Sequence, residues 1–209
     1  VWRENLKRSC LKKANELVQA AATSIGRTTG SEAATAALMN LLAQYEIILE
    51  QKQSLEGLMA QLLYKVPHAD KLLAIKGVGL VSAAVIVSEI GDIYRFRDPR
   101  QILKMAGLSL KENSSGKHKG KTTISKRGRR RLREGLFRVM IPILATNGEF
   151  RAIHQRNLSR TVNPLNKMQS IIALCGKLTR VLYAILTKGS DYKADKLIGD
   201  MKQSLKDAA

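Results

Sequence analysis

A mainly α-helical chain is predicted, with a long helical hairpin or coiled coil leading into a compact helical domain that holds a helix-hairpin-helix element and a small β-ribbon or loop. Three observations predict it. Aromatic residues make up only 4% of the 209 residues while hydrophobic residues make up 44%, so the core is built from Leu, Ile, Val, Ala and Met, a mixture that suits helix better than sheet. Apolar residues recur at helical spacing through most of the chain. Gly and Pro fall where those runs stop. The boundaries read as 1–67 for the hairpin or coiled-coil segment, 68–190 for the compact domain and 191–209 for a polar tail that is expected to fray.

Leu6, Cys10, Leu11, Ala14, Leu17, Val18, Ala21 and Ile25 predict a first helix over residues 3–25, ended by Gly26. Thr29 followed by Glu32 has the form of a capping box for the next one. In that second helix Leu38, Tyr45, Lys52, Met59 and Val66 recur every seven residues, with Leu41, Ile48, Leu55 and Leu62 three places after the first four. This is a heptad seam closed by Pro67. It predicts a coiled coil, within the chain or between copies, and a homo-oligomer through residues 38–66. Lys52 is a polar intruder of the kind that sets register, and the first helix is also able to fold back on the second.

Next, Leu72 to Ile75, then Lys76-Gly77-Val78-Gly79, then Leu80 to Ile90 read as helix, tight turn and helix. Two glycines permit a turn that a Cβ would obstruct, and amide N–H groups at the start of the following helix suit a phosphate. Lys76, Gly77, Val78 and Gly79 are therefore candidate backbone contacts to nucleic acid, with a plain tight corner between helices as the alternative. Gly91-Asp92 ends that helix, and a short helix over 99–106 is stopped by Gly107. Leu108, Leu110 and Thr122 to Ile124 flank a Ser-Ser-Gly-Lys-His-Lys-Gly loop, which predicts a β-ribbon with a mobile basic tip. The next helix opens around Ser125 to Arg133, and a linker at 146–150 precedes a short helix with Phe150, Ile153 and His154. Pro164 is expected to open the last long helix, which Lys188-Gly189 closes.

Charge narrows the function. Lys and Arg number 36 against 17 Asp and Glu, a formal net charge of +19 with a pI near 10.2. Such a field attracts polyanions, nucleic acid first. Between Lys111 and Arg138 stand eleven Lys or Arg and two acidic residues. Lys117, Lys119, Lys121, Lys126, Arg127, Arg129, Arg130 and Arg131 are the candidate phosphate contacts. Glu89, Asp92, Asp98, Asp191, Asp195 and Asp200 lack the apolar setting of a metal site and read as surface charges and caps, so no metal or other cofactor is expected in this chain. Cys10 and Cys175 lie far apart and read as buried thiols of a reducing cytosol. No apolar run reaches membrane-spanning length, and the first twenty residues are basic and amphipathic, so no membrane association is expected and the location reads as cytoplasmic. For chemistry, the residues offer a serine in a cationic loop. Ser115, with Ser114 as the fallback, has cations beside it to absorb charge on phosphoryl oxygens and Gly116 to loosen the loop. A loop that merely contacts phosphate remains the alternative.

The run from Leu72 to Phe137 resembles the C-terminal domain of the IS-one-ten family of insertion-sequence transposases (the IS116/IS110/IS902 type). The parts occur in the family's order: Gly77-Val78-Gly79, Gly91-Asp92 with Arg95-Phe96, Ala106-Gly107-Leu108, Ser115-Gly116, then Ser125 to Gly128 with Leu132-Arg133. The resemblance extends over most of residues 1–190. It implies DNA transposition and recombination with Ser115 as nucleophile and a phosphoserine–DNA intermediate. It also implies a structured guide RNA as partner, assembly through the coiled-coil segment, and action in a prokaryotic cytoplasm at the nucleoid. Divalent metal is implied only in an N-terminal RuvC-like domain, which these residues do not contain. The expectation is that this polypeptide is a fragment or truncated copy, and that alone it binds nucleic acid without recombining it.

Overall fold

The computed structural model describes residues 8–26, 29–111, 114–115, 118–119 and 122–193. The chain divides into two units, residues 1–52 and 53–209.

The first unit holds α1 (Arg8–Thr23) and the larger part of α2 (Ser31–Tyr64). α2 begins later than the capping box predicts. The carbonyl of Gly30 accepts the Ala34 N–H, so the cap position falls on Gly30 and not on Thr29. Leu38, Leu41, Tyr45 and Ile48 of the seam stand 53–62% exposed, and Leu17 and Val18 of α1 are 71% and 66% exposed. The burial expected of a helical hairpin is therefore not seen among the described residues of this unit.

In the second unit the end of α2 turns inward at Leu63, which is buried. A 3-10 helix over Asp70–Ala74 follows, where an ordinary helix is predicted. Pro67 and the left-handed His68 (φ 62°) on one side and Gly77 (φ 97°) on the other confine it to a short segment, the length at which 3-10 helix is common. The remaining helices are α3 (Leu80–Ile90), α4 (Pro99–Met105), α5 (Arg130–Thr146), α6 (Gly148–Leu158) and α7 (Lys167–Lys188). α5 and α7 pack together at the centre, with α3 on α5, α4 on α7, and α6 against both. Ile86, Ile90, Leu132, Leu136, Met140, Ile143, Phe150, Leu174 and Leu178 are among the fully buried side chains, each stabilising the unit by about 1.5–3 kcal/mol.

Two junctions are tighter than predicted. The linker expected at 146–150 is Asn147 alone. Its N–H donates to Ile143 at the end of α5, and its side-chain oxygen accepts the Phe150 N–H at the start of α6. Pro164 lies in the preceding loop and does not open α7. Asn166 and Gln169 form a reciprocal capping box there, each side chain accepting the other's N–H at 2.8 and 2.9 Å. By length and composition α7 is apolar enough to cross a membrane, contrary to the reading that no segment is. Its mean hydropathy has a different source: Leu174, Cys175, Leu178, Leu182, Ile185 and Leu186 are all buried in the core.

Strands occur between α4 and α5. β1 (Leu110–Lys111) pairs antiparallel with β4 (Thr123–Ile124), and β2 (Ser114–Ser115) pairs antiparallel with β3 (His118–Lys119). The predicted β-structure is present as two separate two-stranded sheets, and Ser115 stands opposite His118 in the second.

Candidate nucleic-acid interface

The ribbon is anchored where α4 ends and α5 begins. Lys126 N–H donates to the Gly107 carbonyl at 3.0 Å, Ser125 N–H to Ser109 at 2.8 Å, and Arg129 N–H to Met105 at 2.6 Å. Gly128 makes this approach possible. It sits at φ 141°, and a Cβ there would run into the Met105 carbonyl oxygen, so the close backbone contact needs glycine. Side chains reinforce the junction. Arg133 Nη1 donates to the carbonyls of Ala106 and Lys126 at 2.9 and 3.2 Å, and Arg129 Nη1 donates to Glu89 at the end of α3 at 2.5 Å.

Lys126, Arg127, Arg129, Arg130 and Arg131 are all exposed on this junction. α5 has no acidic residue in its first turn and no side-chain cap. Cations at the positive end of a helix dipole cost about 0.3–1 kcal/mol each, an arrangement that a bound polyanion reverses. Ser114, Ser115 and Lys119 have their backbones in the β2–β3 pair. Lys117 and Lys121 lie outside the described residues.

The Gly77–Gly79 turn is elsewhere. Gly77 abuts the backbone of α5 at Pro142 and Ile143, where a Cβ would come within 2.6 Å of Ile143 Cα and N. Val78 is buried, while Lys76 and Gly79 are exposed, with Gly79 at the start of α3. Ile143 and Arg130 are thirteen residues apart on α5, roughly 20 Å at 1.5 Å per residue. The two candidate contact regions therefore occupy opposite ends of one helix.

Residues 69–155, which contain both regions and the ribbon, match the model of the Transposase IS116/IS110/IS902 family. Three curated relatives agree. The chain is 29% identical over 154 residues to a "Probable family 20 transposase" of Pseudomonas aeruginosa, covering 69% of this chain and 45% of the relative. It is 27% identical over 160 residues to the "Transposase for insertion sequence element IS1328" of Yersinia enterocolitica, covering 73% and 46%. It is 26% identical over 126 residues to the "Transposase for insertion sequence element IS1111A" of Coxiella burnetii, covering 59% and 34%. The chain thus spans less than half the length of these relatives.

Within residues 69–155 and the segments flanking them, Asp92, Asp98 and Asp191 each hold a partner inside the fold. Asp92 accepts the Tyr94 N–H and Asp98 the Arg100 N–H, both as caps. Asp191 pairs with Lys71 at 2.8 Å, and the Lys71 hydrogen bond and charge hold its carboxyl below the usual range. Among the described residues no three His, Cys, Asp or Glu side chains gather as a metal site would require. Cys175 is buried, its thiol donating to the Leu136 carbonyl, and burial pushes its pKa up to about 12. The tail starts docked: Lys71 Nζ donates to Gly189, and Asn147 Nδ2 donates to the Tyr192 hydroxyl. Sequence reading also missed a polar cluster in which Ser170 Oγ accepts from Asn157 Nδ2 at 3.1 Å and meets His154 Nδ1 at 2.8 Å. Ser170 is fully buried, so this polar cluster packs α6 against α7.

Proposed function

We propose that this chain is the DNA-contacting part of an insertion-element transposase in which Ser115 is the nucleophile, with Ser114 as the alternative. The observation that carries the reading is the junction itself. The β1–β4 pair, between whose strands Ser115 falls in the sequence, is rooted through backbone hydrogen bonds at Gly107, Ser109 and Met105, directly beside the exposed arginines at the start of α5. That arrangement suits a phosphodiester held by cations while a ribbon presents a hydroxyl to it. In the step, a bond forms between Ser115 Oγ and phosphorus and the phosphorus–oxygen bond to the departing strand breaks. The serine proton leaves, and the departing oxygen takes one up.

Lys126, Arg127, Arg130 and Arg131 supply sequence-independent phosphate contacts, and Lys76 with the Gly79 amide supplies a second set at the far end of α5. The exposed seam of α2 supports self-association through residues 38–66. A structured guide RNA, and action at the nucleoid, follow from the family resemblance. The second reading, a non-catalytic binding module, is favoured by the exposed Gly79 amide and Lys76. One experiment separates the two. Ser115→Ala, made in the full reading frame that contains this chain, is expected to abolish recombination and the covalent protein–DNA adduct while DNA affinity is retained. Recombination at the parent rate would remove the nucleophile role and leave the binding module.

A further inference from the structure

Arg133 stands apart from its arginine neighbours. It is half-buried, whereas Arg127, Arg129, Arg130 and Arg131 are exposed. Its Nη1 reaches two carbonyls that belong to the two feet of the ribbon: Ala106, before the chain enters β1, and Lys126, after it leaves β4. The same feet are joined to each other by the Lys126-to-Gly107 and Ser125-to-Ser109 backbone bonds. One guanidinium on α5 therefore ties both ends of the ribbon to the helix whose first turn carries the exposed arginines. Both bonds leave one terminal nitrogen whose two N–H groups lie in the fixed plane of the guanidinium, a geometry that a lysine ammonium on a flexible stem does not hold. With its Nη1 donors directed at carbonyls and the residue half-buried, Arg133 is less available to a phosphate than the exposed arginines beside it.

We propose that Arg133 is a positioning residue that sets where the Ser115 ribbon stands over the bound strand, and that it is not a phosphate contact. This rests on the reading of Ser115 as nucleophile. Placement errors of about 1 Å at a reacting centre cost roughly 100-fold in rate, whereas loss of one phosphate contact lowers affinity and reduces the salt slope of binding by about 1.

The test uses the protein of the full reading frame with end-labelled duplex DNA of the element's own terminus. Covalent adduct formation is followed at saturating DNA, and affinity is measured across a salt series. For Arg133→Ala we expect adduct formation slowed by roughly 100-fold, with Kd and salt slope unchanged. Added methylguanidinium should restore part of the rate in Arg133→Ala and none in Ser115→Ala. Arg133→Lys, which keeps the charge and loses the fork, should be slowed as well, and it serves as the informative variant if Arg133→Ala does not fold. Arg133 variants that react at the parent rate, or that lose affinity and salt slope as Arg130→Ala does, overturn the assignment. Ser115→Ala run in parallel separates the failures: an adduct still formed there sinks the nucleophile reading beneath the proposal. An inert Ser115→Ala beside Arg133 variants of parent rate sinks the Arg133 assignment alone.

Discussion

Replacing each glycine of the Gly77–Gly79 turn by alanine discriminates between two accounts of that turn. Gly77 has φ 97°, and forcing an alanine to a left-handed backbone costs about 1–2 kcal/mol. Its new Cβ would also stand 2.6 Å from Ile143 Cα and N and 2.8 Å from the Pro142 carbonyl carbon. Those atoms belong to the backbone of a central helix and cannot rotate away, so overpacking adds about 1–3 kcal/mol. The sum, about 2–5 kcal/mol, corresponds to a drop of roughly 4–20 °C in Tm for a unit of this size. Gly79 has φ −90° and nothing within 4 Å of an added Cβ. There the entropy lost from the unfolded chain favours alanine, the weaker helix cap opposes it, and the net stays within about 1 kcal/mol of the parent. Thermal unfolding of the chain followed by circular dichroism reads both. Equal effects, or a larger loss for Gly79→Ala, would refute the argument that packing against α5 requires the first glycine while the second serves an open helix start.

Arg130→Ala and Arg131→Ala should each lower the salt slope of duplex binding by about 1 without lowering Tm, since each removes a cation from the wrong end of a helix dipole. Fluorescence anisotropy over a salt series, paired with melting curves, checks this. Cys175 predicts an alkaline loss of stability. Its folded pKa is raised to about 12 and its unfolded value is about 8.5, so its contribution is complete below about 8.5 and is lost as pH climbs toward 12. Urea midpoints for the parent should fall over that window more steeply than those of Cys175→Ala, and parallel curves would contradict the burial argument.

Much of this protein is legible in its residues alone. The stops at Gly91, Gly107 and Gly189 mark real helix ends, because backbone requirements at a terminus are local. The pairing of Leu110–Lys111 with Thr123–Ile124 follows from β-prone residues flanking a glycine-containing loop, whereas the strands at Ser114–Ser115 and His118–Lys119 lie inside the stretch read as that loop; the concentration of charge between Lys111 and Arg138 is a matter of composition. Local signals were also wrong where two of them competed. Pro164 is a good helix opener, yet Asn166 with Gln169 forms two reciprocal hydrogen bonds and takes the start of α7. Thr29 has a capping pattern, yet Gly30 takes the position.

Partners distant in the chain lie beyond any local signal. Nothing near Gly77 in sequence names Ile143, 66 positions away, as the backbone it must clear, and nothing in a run of arginines separates Arg133, bound to Ala106 and Lys126, from Arg130 and Arg131, which face solvent. Composition and periodicity settle which segments are helical and where positive charge accumulates, because propensity, turn geometry and net charge depend on near neighbours. Tertiary packing alone decides which glycine is indispensable and which arginine is structural, because both depend on atoms that only the folded core brings to within 3.2 Å.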